Sequence, residues 1–290
     1  MQMTILITGA SGFIGRRLAA AFADRREVVC MGRSAAPKAA AEQINAHYIQ
    51  GSFDRFEDLR RLDGRKIDAV VHLAAVTGGS GEEDGLATNV LGTRRLYRYL
   101  LDQGCRRFVM ASSIAATGSL SREFVPLQLP IADEHPCLAV DAYGYSKAQA
   151  EELTRYFSRV HPDADFVNLR FGSVVDEDWV PPWVGPETKM SIPFVLLARV
   201  YVSDIVAAVA AVLDAPNKPG VRVCNVVGPD AGCGVSSLDV LRGGLGGRCD
   251  GYDLSYYEQP GHADKPLYAM ERMRDEFGFV PRRSTKGRMQ

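Results

Sequence analysis

Thr4-Ile-Leu-Ile-Thr-Gly-Ala-Ser-Gly-Phe-Ile-Gly15 is the most informative run in this 290-residue chain. Five apolar or β-branched residues lead into glycines spaced three apart, Gly9, Gly12 and Gly15, and then into the amphipathic stretch Phe13–Ala23. That order reads as a strand, a tight turn and a helix start. Glycine lacks a Cβ, so the chain can turn sharply, approach a pyrophosphate closely and pack helix against strand. The amides of the first helical turn, with the positive end of the helix dipole behind them, then face the phosphates. Glycines also serve ordinary turns, and it is their place between strand and helix that makes the pattern specific. The expected cradle for a dinucleotide is Gly9, Ser11, Gly12, Phe13, Ile14 and Gly15.

Outward from this run, short apolar segments alternate with longer amphipathic ones. The strands expected are Thr4–Thr8, Val28–Met31, His47–Gln50, Ala69–Leu73, Arg107–Ala111 and Phe166–Phe171. The helices expected between them are Phe13–Ala23, Phe56–Arg61, Thr88–Gln103 and Tyr143–Val160. Near-continuous apolar strands suit burial on both faces, and alternation with helices implies right-handed crossovers. The fold class is therefore α/β, a doubly wound parallel sheet. From about Asp176 the pattern weakens under Pro181, Pro182, Pro186 and Pro193, leaving a helix over Asp204–Leu213, a strand over Arg222–Val227 and a helix over Met270–Phe277. This divides the chain into a dinucleotide-binding domain over 1–175 and, over 176–290, a small substrate-binding lobe with some segments returning to the core.

Composition excludes several classes. Lys plus Arg number 34 against 35 Asp plus Glu, a formal charge of −1, and without a basic excess nucleic acid is not an expected partner. The six cysteines form no C-x-x-C pair, so neither a metal site nor a disulfide framework is expected. The N-terminus shows no basic segment followed by an apolar one and a cleavage site, and Met3–Ile7 is too short to span a membrane. The expectation is a cytoplasmic protein without membrane attachment.

Cofactor preference is read at the end of the second strand. A site for NAD(H) places a carboxylate there to bond the ribose 2′-hydroxyl. Here the strand ends Gly32-Arg33-Ser34. A guanidinium offers a planar fork of donors to a phosphate, and Ser34 adds a hydroxyl. NADP(H) is preferred on this reading, with NAD(H) possible.

Tyr143-Gly-Tyr-Ser-Lys147 puts a phenol and an ammonium one helical turn apart on one face. A phenol is a poor base at neutral pH, and a nearby cation favours its ionised form. With its companions this motif resembles the short-chain dehydrogenase/reductase superfamily, in its extended branch of NAD(P)-dependent epimerase/dehydratases. The companions are TGASGFIG at 8–15, DAVVHLAA at 68–75, NVLGT at 89–93, RFVMASS at 107–113, YGYSKAQAE at 143–151, LRFG at 169–172, YVSDI at 201–205 and FGFVP at 277–281. They run in order over nearly the whole chain. The resemblance implies a Rossmann fold, with Tyr143 as acid/base and Ser113, rather than Ser112, holding the substrate oxygen. It implies that Lys147 bonds the nicotinamide ribose and tunes Tyr143, and that Leu73, Ala74 and Ala75 line the cofactor through backbone groups. Asn89 matches the family's helix asparagine, or caps its helix before Gly92. His72 reads as a packed core residue. A homodimer through the stretches 88–103 and 143–160 is implied by the same analogy.

Departures from the family pattern bear on the substrate. Ser52 stands where relatives carry the carboxylate that contacts adenine. Leu197, seven residues before Asp204, and Gln259, before Pro260-Gly261, stand where nucleotide-sugar enzymes place diphosphate-binding arginines, although Arg199 lies nearby and Arg199 or Arg222 could substitute from a shifted backbone. A diphosphate carries about two charges and is usually held by bidentate arginines. The leading expectation is thus an NADP(H)-dependent oxidoreductase acting on a small carbonyl or hydroxyl compound. A nucleotide-sugar epimerase/dehydratase using bound NAD(P) is the first alternative, and a non-catalytic dinucleotide-sensing protein on the same fold is the second.

Overall fold

Strand β1 (Thr4–Thr8) is buried at every position, as five apolar or β-branched residues must be at the centre of a sheet. In the computed structural model, which describes residues 3–34, 46–79 and 81–285, β1 lies between β2 (Glu27–Gly32) and β4 (Ala69–His72), parallel to both. Beyond β2 lies β3 (Ala46–Gln50), and beyond β4 lies β5 (Arg107–Ser113). With β6 (Asp165–Phe171) and β9 (Gly220–Val226) the seven-stranded order is β3-β2-β1-β4-β5-β6-β9. The jump from β3 at one edge to β4 on the far side of β1 is the switch of direction that opens a crevice at the carboxyl ends of those strands. The six strands expected from alternation in the first part of the chain are all present, so the doubly wound α/β reading holds.

The chain forms two compact units, one of Met1–Ser112, Tyr145–Asn168 and Val212–Arg222, the other of Ser113–Gly144, Leu169–Ala211 and Val223–Gln290. In the first, Leu6, Val29, Val70 and Leu100 pack around an aromatic group. Tyr97 lies 4.7 Å from Phe108, and Phe108 stacks on Phe166 at 4.8 Å. Each such side chain contributes about 1.5–3 kcal/mol by leaving water. The helix expected over Thr88–Gln103 begins as a π-helical stretch, Leu86–Gly92, and becomes α-helical over Thr93–Asp102. Close packing accompanies the wider turn: a Cβ on Gly92 would fall 2.8 Å from the Asp54 Cβ. Phe56–Leu59 is α-helical and tightens into a 3₁₀ turn over Arg60–Leu62.

The second unit has its own core, including Phe124, Phe194, Leu197, Leu241, Tyr257 and Tyr268. Two strands absent from the sequence reading, β7 (Ser173–Val175) and β8 (Arg199–Tyr201), pair in parallel. Three residues are too few to show alternation, which is why pattern misses them. The helix Ser237–Leu245 is also absent from the sequence reading; Gly243 sits in it where the chain crosses at Pro186, whose carbonyl oxygen a Cβ would meet at 2.2 Å, and a Cβ on Gly244 would fall 2.8 Å from the Met190 Cε. Asp204 accepts the backbone N–H groups of Arg282 and Arg283, both at 3.0 Å, so the acid of YVSDI ties down the chain's last described segment. No helix of the described residues is long and apolar enough to cross a membrane.

Candidate active site

The turn after β1 is built almost without side chains. Gly9 has φ 71°, a left-handed conformation suited to glycine. Its N–H donates to the Met31 carbonyl at 3.0 Å and its carbonyl accepts from Gly12 at 2.9 Å. A Cβ on Gly9 would fall 2.9 Å from the Ala74 nitrogen, and one on Gly15 would fall 2.2 Å from the Gly9 oxygen. The first glycine thus lets the segment after β4 approach, and the last lets the helix Phe13–Phe22 press against the turn. That helix starts at Gly12 in extended conformation, with no side chain capping its first amides. The first-turn donors are left for another partner.

A cleft opens over this turn, lined by Gly9, Ser11 and Gly12, by Gly32, Arg33 and Ser34 at the end of β2, by Ser52 and Asp54 after β3, and by Leu73, Ala74 and Ala75 after β4. Phe13, Ile14 and Gly15 do not line it; they form the helix start beside it. Arg33 and Ser34 are exposed, and the Arg33 carbonyl is held by Gln50 Nε2 at 3.1 Å. A neighbouring hollow shares Arg33 and adds Arg55, Arg61 and Asp58. Asp58 is engaged there, accepting the Ser52 N–H at 2.8 Å and lying 3.5 Å from Arg61. No acidic residue follows β2 where a 2′-hydroxyl partner would stand.

The helix Ala142–Val160 carries the Tyr-x-x-x-Lys motif, with Tyr143 in the second unit and Lys147 in the first. Asp141 caps its start, accepting the Gly144 N–H at 2.7 Å. Gly144 is required there, since a Cβ would fall 2.5 Å from the Ala115 carbonyl oxygen. Tyr143 hydrogen-bonds with Ser113, whose oxygen also accepts the Ala115 N–H at 3.1 Å. Burial raises the Tyr143 pKa above its ordinary value; the bond with Ser113 opposes this and the Asp141 carboxylate reinforces it.

On the first-unit part of the same helix, Lys147 is only 6% exposed. Its ammonium donates to the Ala111 carbonyl at 2.8 Å. Burial pulls its pKa down from 10.5 to about 8, with the Glu151 carboxylate acting the other way. Glu151 is itself fully buried and accepts the Ser112 hydroxyl at 2.6 Å. The two adjacent serines therefore part company, Ser113 toward Tyr143 and Ser112 toward Glu151. Sequence reasoning passed over Glu151, although its place four residues after Lys147 was visible in YGYSKAQAE. Asn89 lies within the π-helical stretch and its side-chain bonds are not caps: Oδ1 accepts the Val76 N–H at 2.8 Å, and Nδ2 donates to the Val76 carbonyl and the Ser146 hydroxyl, both at 2.9 Å. It pins the segment after β4 and the residue beside Lys147. His72 is a core residue, bonded to Thr8 at 2.7 Å and Thr93 at 2.9 Å, its pKa pulled to about 3 by burial and by Lys147.

A parallel sheet with a glycine turn at its switch of direction and a Tyr-x-x-x-Lys helix defines a dinucleotide-binding α/β protein. Comparison with known proteins narrows this. The model of the NAD dependent epimerase/dehydratase family matches residues 5–178, and the chain belongs to that family, which is one of enzymes. UDP-glucose 4-epimerase 2 of Oryza sativa subsp. japonica is 28% identical over 186 residues, 58% of this chain and 44% of that protein; the chain thus matches less than half the length of that relative. A mutated uronate dehydrogenase superposes with TM-score 0.70 at 21% identity, over 98% of this chain and 83% of the other. The UDP-glucose 4-epimerase of Bifidobacterium longum, in complex with NAD+ and UDP, gives 0.70 at 19% identity, over 98% and 95%. These two likenesses are of fold.

Proposed function

We propose that the chain is an oxidoreductase that moves hydride between a nicotinamide dinucleotide, NADP(H) in preference to NAD(H), and a small carbonyl or hydroxyl compound. The observation that carries this reading is the hydrogen-bonded Ser113–Tyr143 pair at the start of a helix that presents buried Lys147 one turn later. The cleft suits a dinucleotide, because its floor is a turn in which a Cβ on Gly9 or Gly15 would collide with backbone. Gly9, Ser11 and Gly12, with the amides of Phe13, Ile14 and Gly15, would hold the diphosphate. Arg33 and Ser34 would take a 2′-phosphate, and Leu73, Ala74 and Ala75 would line the riboses. When bound, the dinucleotide supplies or accepts the hydride.

The remaining chemistry belongs to this chain. Tyr143, its pKa raised, carries its proton at neutral pH and gives it to the substrate oxygen in the reductive direction, taking it back in the oxidative one. Ser113 donates to that same oxygen and steadies its developing negative charge. Lys147 would bond the nicotinamide ribose and, with a pKa of about 8, keeps a positive charge on the helix one turn from Tyr143. A second reading, a nucleotide-sugar epimerase or dehydratase using retained NAD(P), is favoured by the UDP-glucose 4-epimerases among its relatives. The first reading predicts net loss of reduced nicotinamide absorbance with small ketones or aldehydes, fastest with NADPH. Interconversion of UDP-glucose and UDP-galactose without such loss would establish the second instead. Tyr143→Phe is expected to lower turnover by about 10²–10⁴-fold, the usual worth of general acid–base catalysis, with dinucleotide affinity unchanged. We also propose a homodimer through the stretches 88–103 and 143–160, where Leu91, Tyr145, Tyr156 and Val160 are exposed; sedimentation equilibrium tests it.

A further inference from the structure

Arg199, the first residue of β8, is partly withdrawn from water without a counter-charge. Its Nε donates to the Leu196 carbonyl at 3.1 Å and its Nη1 to the Ser173 hydroxyl at 3.2 Å. Its guanidinium lies over the Trp179 ring, 5.1 Å from the centroid. A guanidinium has five N–H donors. Two are used here, and among the described residues Nη2 meets no acceptor and no carboxylate pairs with Arg199. The other inward arginines differ. Arg222 pairs with Asp165, Arg272 with Glu134 and Glu276, and Arg283 with Glu177, while Arg170 is enclosed by the carbonyls of Asp133 and His135. Burial lowers the Arg199 pKa, and no acid opposes it.

The surroundings fix the guanidinium plane. A carbonyl holds Nε, a hydroxyl takes one N–H of Nη1 and an aromatic face lies against the plane, which leaves Nη2 and the second N–H of Nη1, the terminal fork, without an acceptor among the described residues. The place in the fold agrees with a ligand. Ser173 follows β6 at its carboxyl end, and Ser113 ends β5, the neighbour of β6 in the sheet. Both serines belong to the second unit, and open α/β sheets bind ligands beyond the carboxyl ends of their strands.

We propose that Arg199, supported by Trp179 and steered by Ser173, holds a carboxylate of the substrate, so that the compound oxidised or reduced at Tyr143 is a hydroxy or oxo acid. The open fork matches two coplanar oxygens, the usual bidentate pairing. A diphosphate would ask for a second guanidinium. Leu197 is fully buried in the apolar core, Gln259 is uncharged, and Arg222 is committed to Asp165.

This inference rests on the oxidoreductase reading, and its test separates the two. Trp179 is one of two tryptophans, so its emission reports an anion at Arg199 without turnover. Sodium D-gluconate, D-glucuronate and D-lactate are titrated against glycerol, D-glucose and UDP, with and without NADP+. At least one acid is expected to give a saturable emission change that the neutral compounds do not. Arg199→Met should weaken that binding by about tenfold or more, the worth of a charge-assisted pair. Arg199→Lys, which keeps the charge without the fork, should lie between and serves if the Met variant does not fold. No response to any acid, equal response to neutral compounds, or tighter Arg199-dependent binding of UDP would overturn the carboxylate assignment. Arg199-dependent binding of an acid without nicotinamide turnover would keep the subsite and remove the oxidoreductase reading. Turnover of neutral ketones with unchanged rate in Arg199→Met would do the reverse.

Discussion

On the readings proposed above, the turn at Gly9 and the guanidinium of Arg199 would both present donors to an anion, by opposite means. The first is made of backbone, and its shape depends on side chains being absent: a Cβ at Gly15 would lie 2.2 Å from the Gly9 oxygen. The second is a single side chain whose aim depends on a carbonyl, a hydroxyl and an indole from other segments. A backbone site is local, and so it leaves a compact sequence signature. A side-chain site assembled by other segments leaves almost none, and Arg199 in isolation looks like any arginine on a short strand.

Substitutions at three positions bear on that contrast, beginning with the largest effect. Gly15→Ala forces the helix Phe13–Phe22 off the turn. A stability loss of about 1–3 kcal/mol, the usual cost of overpacking, should appear in urea unfolding together with loss of dinucleotide binding by calorimetry. Retained binding would mean that the cradle tolerates side chains and that the contrast with Arg199 is false. Arg33→Ala removes a side chain from the rim of the backbone site. NADP+ affinity should fall by roughly tenfold, since a charge-assisted bond is worth about 1.5–3 kcal/mol before solvent screening at this exposed position; NAD+ affinity should hardly change. A tighter grip on NAD+ than on NADP+ in the wild type would reverse the cofactor assignment.

The smallest effect concerns pH. Lys147 is held at about 8, below its ordinary 10.5, so between these values the unfolded chain binds more protons and stability rises with pH. Glu151 opposes that depression. Glu151→Gln should therefore lower the Lys147 pKa further, move the corresponding limb of the kcat/KM profile to lower pH, and extend the window of rising stability downward. Glu151→Asp should restore part of the wild-type profile. An unmoved limb would show that Glu151 serves packing and its bond with Ser112 alone.

Much of the fold was legible because a parallel sheet buries its strands on both faces, so Thr4–Thr8, the Val28–Met31 part of β2 and Ala69–His72 stand out as apolar runs. The glycine turn and the Tyr143/Lys147 spacing were legible for the same reason, since contacts three or four residues apart are written in order along the chain. The later part of the chain was legible only in part: the helix Val202–Asp214, the strand Gly220–Val226 and the helix Glu271–Phe277 match expected elements, and the rest escaped. β7 and β8 are three residues each, and the acids that hold the last segment, Asp204 and Asp230, act on residues 54 to 79 positions away.

Local order was thus enough to specify the sheet, the glycine turn and the helix that bears Tyr143 and Lys147, because each depends on neighbours in the chain. Only the tertiary structure could divide the work of Ser112 and Ser113, bury Glu151 four residues from Lys147, seal Leu197 in the core, and leave the Arg199 fork open. Those outcomes depend on which distant segments exclude water from a charge and which supply it a partner, and burial of that kind has no period in the sequence.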